Sequence, residues 1–497
     1  MTVPYTFATS TTTLPLSQLD ANFSAVGQSA NVTYTSSLAN AVSRTSQSKM
    51  SDIVSVKDFG AVGDGATDDT AAMQAAHNSG KLIYYPAGYY NFTSISMTHG
   101  GGIVGDGPQL TQFFVNTASS TTGNSISYVS TTTELCGPLF RDFSIYVNGG
   151  TPKTAGAFLY VQGNDSASFT SGLYVENVYF YQGGYNHLQL INQVNYFITG
   201  CTFQNYSNWG LSLDNPGNTD AGDGTITSCF FNTARTGATI GFVLGGAGGT
   251  RFVNNKILGG NYSIDVFLTH NTNSADLFIQ NNSLELAQIA CININRASGA
   301  TAAIGSILIQ DNEFSGPYGI LANPSAAFIG TMLITGNVIT NQANTPYFIY
   351  LNYIDNLNIV GNLFDLGSSY TVISAIYIGA NCTYGQIKSN QYRRMTTPII
   401  NNSTTVIVNE QIQSGTANVN VTTAYGSLYS GSVSVTFPVP FSSAPTVRAT
   451  LHDVNGLGGV SVSVSNVSAT GFTGFAVGVT NSVTLPFYWE ANGVICV

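Results

Sequence analysis

Charge is what this sequence has least of. Only 8% of its 497 residues are Asp, Glu, Lys or Arg, and the 24 acidic and 14 basic side chains leave a formal net charge of −10. The basic residues are spread along the chain and form no patch, so duplex nucleic acid is not an expected partner. Cysteine is also thin. Cys136, Cys201, Cys229, Cys291, Cys382 and Cys496 lie far apart, without a CxxC or Cys/His metal spacing and without a disulfide framework. No metal or cofactor is expected. Uninterrupted apolar runs near 18 residues are missing, which argues against a membrane span. No basic segment followed by an apolar stretch opens the chain, so no secretory signal peptide is expected. What is present excludes disorder, because 43% of the residues are hydrophobic. The 53 Gly, 27 Tyr and 28 Phe, set among abundant Ser, Thr and Asn, indicate a β protein with polar but uncharged faces.

The texture divides the chain into three blocks. Residues 1–52 are rich in Ser and Thr and lack sustained apolar periodicity. Residues 53–412 are a long strand-rich body. Residues 413–497 alternate apolar and polar over short stretches, as in Val433-Ser-Val-Thr-Phe437, the pattern of half-buried strands.

Within the body one template recurs: apolar, two free positions, a slot, one free position, apolar. It runs from Phe140–Ile145 to Ile387–Tyr392. The slots are Phe143, Val178, Cys201, Cys229, Asn255, Asn282, Asn312, Asn337, Asn362 and Asn390, 23 to 35 residues apart. That period fits one coil of a solenoid with three short strands, each coil burying its apolar face on the next. Successive slots then lie about 4.8 Å apart. The six Asn are expected to hydrogen-bond to one another and to turn backbone, satisfying buried polar groups without charge. Cys201 and Cys229 share a slot on neighbouring coils and are expected to be small core side chains. A short helix is expected over Ala71–Ala76, with Thr67, Asp68 and Asp69 at its positive end.

Val56-Lys-Asp-Phe-Gly-Ala-Val-Gly-Asp-Gly-Ala-Thr-Asp-Asp-Thr-Ala-Ala-Met-Gln-Ala-Ala76, followed by Tyr85-Pro-Ala-Gly-Tyr-Tyr90 and Gly102-Ile-Val-Gly-Asp-Gly107, resembles the opening motifs of the pectate-lyase-like family. The resemblance implies an all-β, right-handed parallel β-helix with a short N-terminal capping helix. It also implies that Asp64, Asp68 and Asp69 are folding elements rather than catalysts. Leu14-Pro-Leu-Ser-Gln-Leu-Asp-Ala-Asn-Phe-Ser-Ala-Val26 looks like the start of many phage tail-fibre and tailspike proteins. Val433–Pro445 and Phe487–Val494 are similar to tail-fibre tip domains. Together these likenesses imply a virion-attachment segment (1–52), a β-helix body (53–412) and a C-terminal β-sandwich tip (413–497) that trimerises or binds carbohydrate. They imply a homotrimer on the phage tail or baseplate that acts on a bacterial surface polysaccharide, an O-antigen or capsule.

Cleavage of such a glycan needs acid and base groups across a glycosidic bond. Hydrolases commonly use two carboxylates, about 5–5.5 Å apart when retaining and about 6.5–9.5 Å when inverting. A lyase needs a base beside a uronate carboxyl. Few carboxylates are available here. One cluster is the loop Asp214-Asn-Pro-Gly-Asn-Thr-Asp220-Ala-Gly-Asp223, preceded by Tyr206 and Trp209, whose rings can stack on sugars. Its plainer reading is a turn that uses Gly, Asn and Asp for backbone conformation. The second cluster follows from coil arithmetic. Glu285 stands three places after slot Asn282 and Glu313 one place after slot Asn312, so both should project outward with Cα atoms roughly 8 Å apart. Lys256, one coil earlier, makes a surface ion pair the alternative. Asp214, Asp223, Glu285 and Glu313 are therefore the candidate catalysts. Tyr206, Trp209, Asp220, Asp265, Tyr262, Arg235 and His187 are the candidate sugar contacts. With so few cations, endo-hydrolysis is expected over a lyase reaction. A non-catalytic adhesin of the same architecture is the rival.

Overall fold

The computed structural model describes residues 32–497 except 99, 119, 131–136, 164–169, 215–221, 234–241, 246–248, 269–273, 298–302, 324–328, 342–343, 367–371, 394–397, 409–410, 426–427, 442–443, 452–460, 479–482 and 494–497; of residues 1–31 it describes 17, 20, 21 and 24. The Leu14–Val26 stretch therefore lies largely outside the described residues, as do Asp220 and Arg235.

The body is a parallel β-solenoid. Strands of successive coils pair in register and form three long sheets. The first runs through strands such as Thr250–Val253, Ser274–Gln280, Ile304–Gln310, Ile329–Thr335 and Ile354–Val360. The second is built from short strands: Lys256–Leu258, Ser283–Glu285, Glu313–Gly316, Val338–Asn341 and Leu363–Asp365. The third contains Trp209–Asp214, Phe242–Gly245, Tyr262–Leu268, Ala290–Arg296, Tyr318–Ala322, Thr345–Leu351 and Val372–Ile378.

The turn from the first sheet to the second explains the sequence template. The residue before every slot is left-handed: Asp142, Asn177, Gly200, Ser228, Asn254, Asn281, Asp311, Gly336, Gly361 and Ser389, with φ between 51° and 69°. Only Gly, Asn, Asp and Ser fill this place, the types that best tolerate that backbone or can bond locally. The reversal throws the slot side chain inward, and all ten slots are buried. The Asn slots form the expected ladder. Asn282 Nδ2 donates to Phe252 O at 2.9 Å and to Asn312 Oδ1 at 2.9 Å, while Asn282 Oδ1 accepts from Asn255 N at 2.9 Å. The same pattern continues through Asn337, Asn362 and Asn390. Beside it runs an apolar row in which Phe180, Phe203 and Phe231 stack with centroids 4.9 and 4.5 Å apart. Cys201 and Cys229 are free and buried, as small core side chains.

A helix over Thr70–His77 covers the first coil and buries Met73 and Ala76. Asp69, one of the residues expected at this end, occupies the N-cap but makes no side-chain cap. Its carboxylate instead accepts from Val62 N at 2.6 Å and Gly63 N at 3.1 Å, pinning the preceding loop. Asp68 accepts from Thr70 N at 3.0 Å, and Asp64 from Ala66 N and Thr67 N. All three carboxylates are spent on backbone N–H groups. Among the described residues no helix is long and apolar enough to cross a membrane.

At the far end Gln411–Val421 pairs in parallel with the last short strand at Gln391↔Ile412. The same strand then runs antiparallel to Val483–Gly493. With Thr446–Leu451 it forms one sheet of a sandwich; Leu428–Thr436, Gly471–Gly478 and Ser461–Ser465 form the other. Phe437, Phe472, Phe487 and Trp489 fill the space between.

Candidate functional site

Two outer faces of the solenoid carry the candidate groups, and they differ in electrostatics.

On the second sheet, Ser283 pairs with Glu313 and Glu285 with Ser315. Glu285 and Glu313 are therefore offset by one strand and two residues, as coil arithmetic anticipates. Glu285 is half-buried and Glu313 exposed. Lys256 Nζ lies 3.1 Å from Glu285 Oε1, and Ser283 Oγ donates to the same oxygen at 2.5 Å. The Ser283 hydroxyl and then the Lys256 ammonium hold this carboxyl below its ordinary value. Such a group stays ionised and is a poor proton donor.

On the third sheet the flanking Ile264 and Val266 belong to the core, so alternation turns Asp265 to the outer face. It is nonetheless only 6% exposed. Asn293 Nδ2 donates to Asp265 Oδ1 at 2.8 Å. Desolvation pushes the Asp265 carboxyl up to about 6, against the lowering effect of Asn293. Burial likewise raises the Tyr262 phenol on the same strand, with Asp265 adding to the effect. Register places Ser212, Val243, Asp265, Asn293, Leu321, Tyr350 and Tyr377 in one row along the solenoid. The Tyr350 and Tyr377 rings stack at 4.6 Å and 7°, with Tyr347 4.7 Å from Tyr377. Asp214 ends its strand two residues beyond Ser212 and is half-buried. Two strand spacings by two residues puts its Cα roughly 12 Å from that of Asp265. Trp209 begins the strand that Asp214 ends and is half-buried too.

Three expected groups serve other ends. His187 is fully buried, its ring stacked on Phe158 at 5.2 Å and edge-on to Tyr206 at 5.4 Å. Burial pushes its imidazole down to about 3, so it stays neutral. Gly184 makes room for it, since a Cβ there would come 2.5 Å from the ring. His187 is thus a core residue and not a sugar contact, and Tyr206, buried beside it, is withdrawn from the surface as well. Asp223 is exposed and left-handed, with φ 54°. Its Oδ1 lies 1.9 Å from where a Cβ at Gly249 would stand, so it packs against the backbone of the next coil as a turn residue.

The tyrosine cluster escaped the sequence reading. Its signal is present in Ile349-Tyr350-Leu351 and Ile376-Tyr377-Ile378, the same outward position on adjacent coils. Among the described residues no group of three or more His, Cys, Asp or Glu side chains is placed to hold a metal ion.

Comparison with known proteins agrees with the fold. Residues 53–259 match the family model "Rhamnogalacturonase A/epimerase, pectate lyase-like". Among curated proteins, a tail spike protein of an Escherichia phage is 42% identical over 64 residues, 13% of this chain and 8% of that protein. The mannuronan C5-epimerase AlgE3 of Azotobacter vinelandii is 60% identical over 40 residues, 7% of this chain and 2% of that protein. The chain thus spans under a tenth of the length of these relatives. Among solved structures, a tailspike protein of E. coli bacteriophage HK620 aligns over 96% of this chain and 100% of its own, with 13% identity and TM-score 0.51. Its complex with a hexasaccharide aligns with 15% identity over the same 96% and 100%, with TM-score 0.50. Residues 53–259 thus resemble the pectate-lyase-like family, and the β-solenoid of this chain has a fold similar to that of the tailspike structures.

Proposed function

We propose that this chain is a phage tail protein that binds a bacterial surface polysaccharide and cleaves it by endo-glycosidic hydrolysis. The observation that carries the reading is Asp265. It is an outward-facing carboxylate that burial keeps protonated up to about pH 6, on the same sheet face as Asp214 and in one row with stacked tyrosines. A desolvated carboxyl that holds its proton, set on one face with a second carboxylate, fits the division of labour between acid and base in glycosidases.

In this reading Asp265 gives its proton to the glycosidic oxygen as the C1–O bond breaks. Asp214 takes a proton from the water whose oxygen bonds to C1 from the opposite side. Leaning side chains close the Cα gap towards the ~6.5–9.5 Å of an inverting pair. Trp209, Tyr262, Tyr350 and Tyr377 supply stacking surfaces. Glu285 with Glu313 on the second sheet is the competing pair. Residues 1–52 would attach a homotrimer to the tail or baseplate. The hexasaccharide in the HK620 tailspike complex supports a glycan as the ligand of this fold.

The test is incubation with a panel of purified O-antigens and capsules, with products sized and weighed. Hydrolysis yields fragments that each carry one added water. Unsaturated uronate ends would mean a lyase. Binding without fragments across the panel would establish an adhesin and end the enzyme reading.

A further inference from the structure

Where the last coils meet the sandwich there is a cleft of about 950 Å³. One wall is the end of the second sheet, with Asp365 and Arg393. The other is the outer face of the sandwich sheet. There the in-register triplets Ser414, Glu490, Arg448 and Thr416, Tyr488, Thr450 stand side by side. Alternation explains the polarity of this wall: Leu485, Phe487, Trp489 and Ala491 of the same strand are buried, leaving Tyr488 and Glu490 outside.

We infer that this cleft is a second saccharide site, taking an oligosaccharide unit that bears a carboxylate. In a chain with 14 cationic side chains, two arginines, Arg393 and Arg448, line one cavity. A guanidinium fork matches a carboxylate in two parallel hydrogen bonds. Arg393 keeps Asp365 only at 3.8 Å and has 60% of its side chain exposed, so its pairing contributes little and a ligand can redirect it. Tyr488, 49% exposed, offers a ring face between two threonine hydroxyls. Ring and hydroxyls together suit the apolar face and polar rim of a pyranose. The volume is in the usual range for small-ligand sites. Glu490 and Asp365 offset the two cations, which favours a ligand with isolated carboxylates over a dense polyanion. The site stands apart from Asp265, which faces out from the third sheet, and does not depend on cleavage.

The test is isothermal titration of the full chain with tetragalacturonate, trimeric N-acetylneuraminate and neutral maltotetraose, at low and high salt. The expected result is binding of at least one acidic probe that weakens with salt and exceeds that of maltotetraose. Arg448→Ala and Arg393→Gln should each lower affinity about tenfold, the size of a lost charge-assisted hydrogen bond. Tyr488→Ala should weaken it too. Three results would overturn the inference: no acidic probe bound, equal affinity for maltotetraose, or no change in either arginine variant. A drop in particle mass by light scattering in the arginine variants would also overturn it, because the cleft would then be a subunit interface.

Discussion

The second and third sheets belong to the same coils, yet their outer faces treat a carboxylate in opposite ways. Glu285 has a hydroxyl and an ammonium against it and is pulled towards ionisation. Asp265 has an amide partner and little water and is pushed towards the neutral acid. The distinction is not charge density, which is low everywhere. It lies in which neighbours the register delivers: Lys256 to the row beside Glu285, Asn293 to the row of Asp265. An exposed ion pair is worth little. A desolvated carboxyl is a poised proton donor.

The largest break in this comparison is Asp265→Asn. If the third sheet carries the chemistry, turnover of a cleaved polysaccharide should fall at least about 100-fold, as it should in Asp214→Asn, while fluorescence-detected binding persists. Next in size is a stability effect. Asn312→Leu removes the acceptor of Asn282 N and the donor to Ile279 O. Two buried backbone groups then lose partners, at a cost on the order of 3 kcal/mol, readable as a lower denaturation midpoint.

The pH profile sharpens the contrast. The Asp265 carboxyl is raised from 3.8 to about 6. Turnover should therefore fall as pH rises through about 6. The same group's stability contribution is full below 3.8 and is lost as pH rises through about 6, so denaturation midpoints should drop across that window. Tyr377→Ala should raise KM for long chains several-fold, with kcat little changed, since one stacking contact is worth about 1 kcal/mol. The smallest effect is expected from Glu285→Gln. It should alter turnover less than about twofold and stability by under about 1 kcal/mol. A large loss there, with Asp265→Asn near wild type, would move the chemistry to the second sheet.

The part of the fold legible in the sequence was the turn between the first and second sheets. Its left-handed residue and its inward slot each restrict the side chain, so the pattern repeats in every coil. The third sheet was harder to read, because the segments leading to it vary in length from coil to coil. Tyr350 and Tyr377 each carry a local apolar–Tyr–apolar signal, but their alignment on adjacent coils is hidden for that reason. His187 misled because a histidine in a polar stretch reads as surface, whereas Phe158, Phe180 and Phe203 from other strands enclose it.

The sequence alone determined the solenoid period, the Asn ladder and the offset of Glu285 and Glu313, since these follow from local backbone preference and strand spacing. Only the tertiary structure decided which carboxylate loses water. The surroundings of Asp265 are set by its register neighbours on adjacent coils, Val243 and Asn293, and proximity of that kind leaves no local mark.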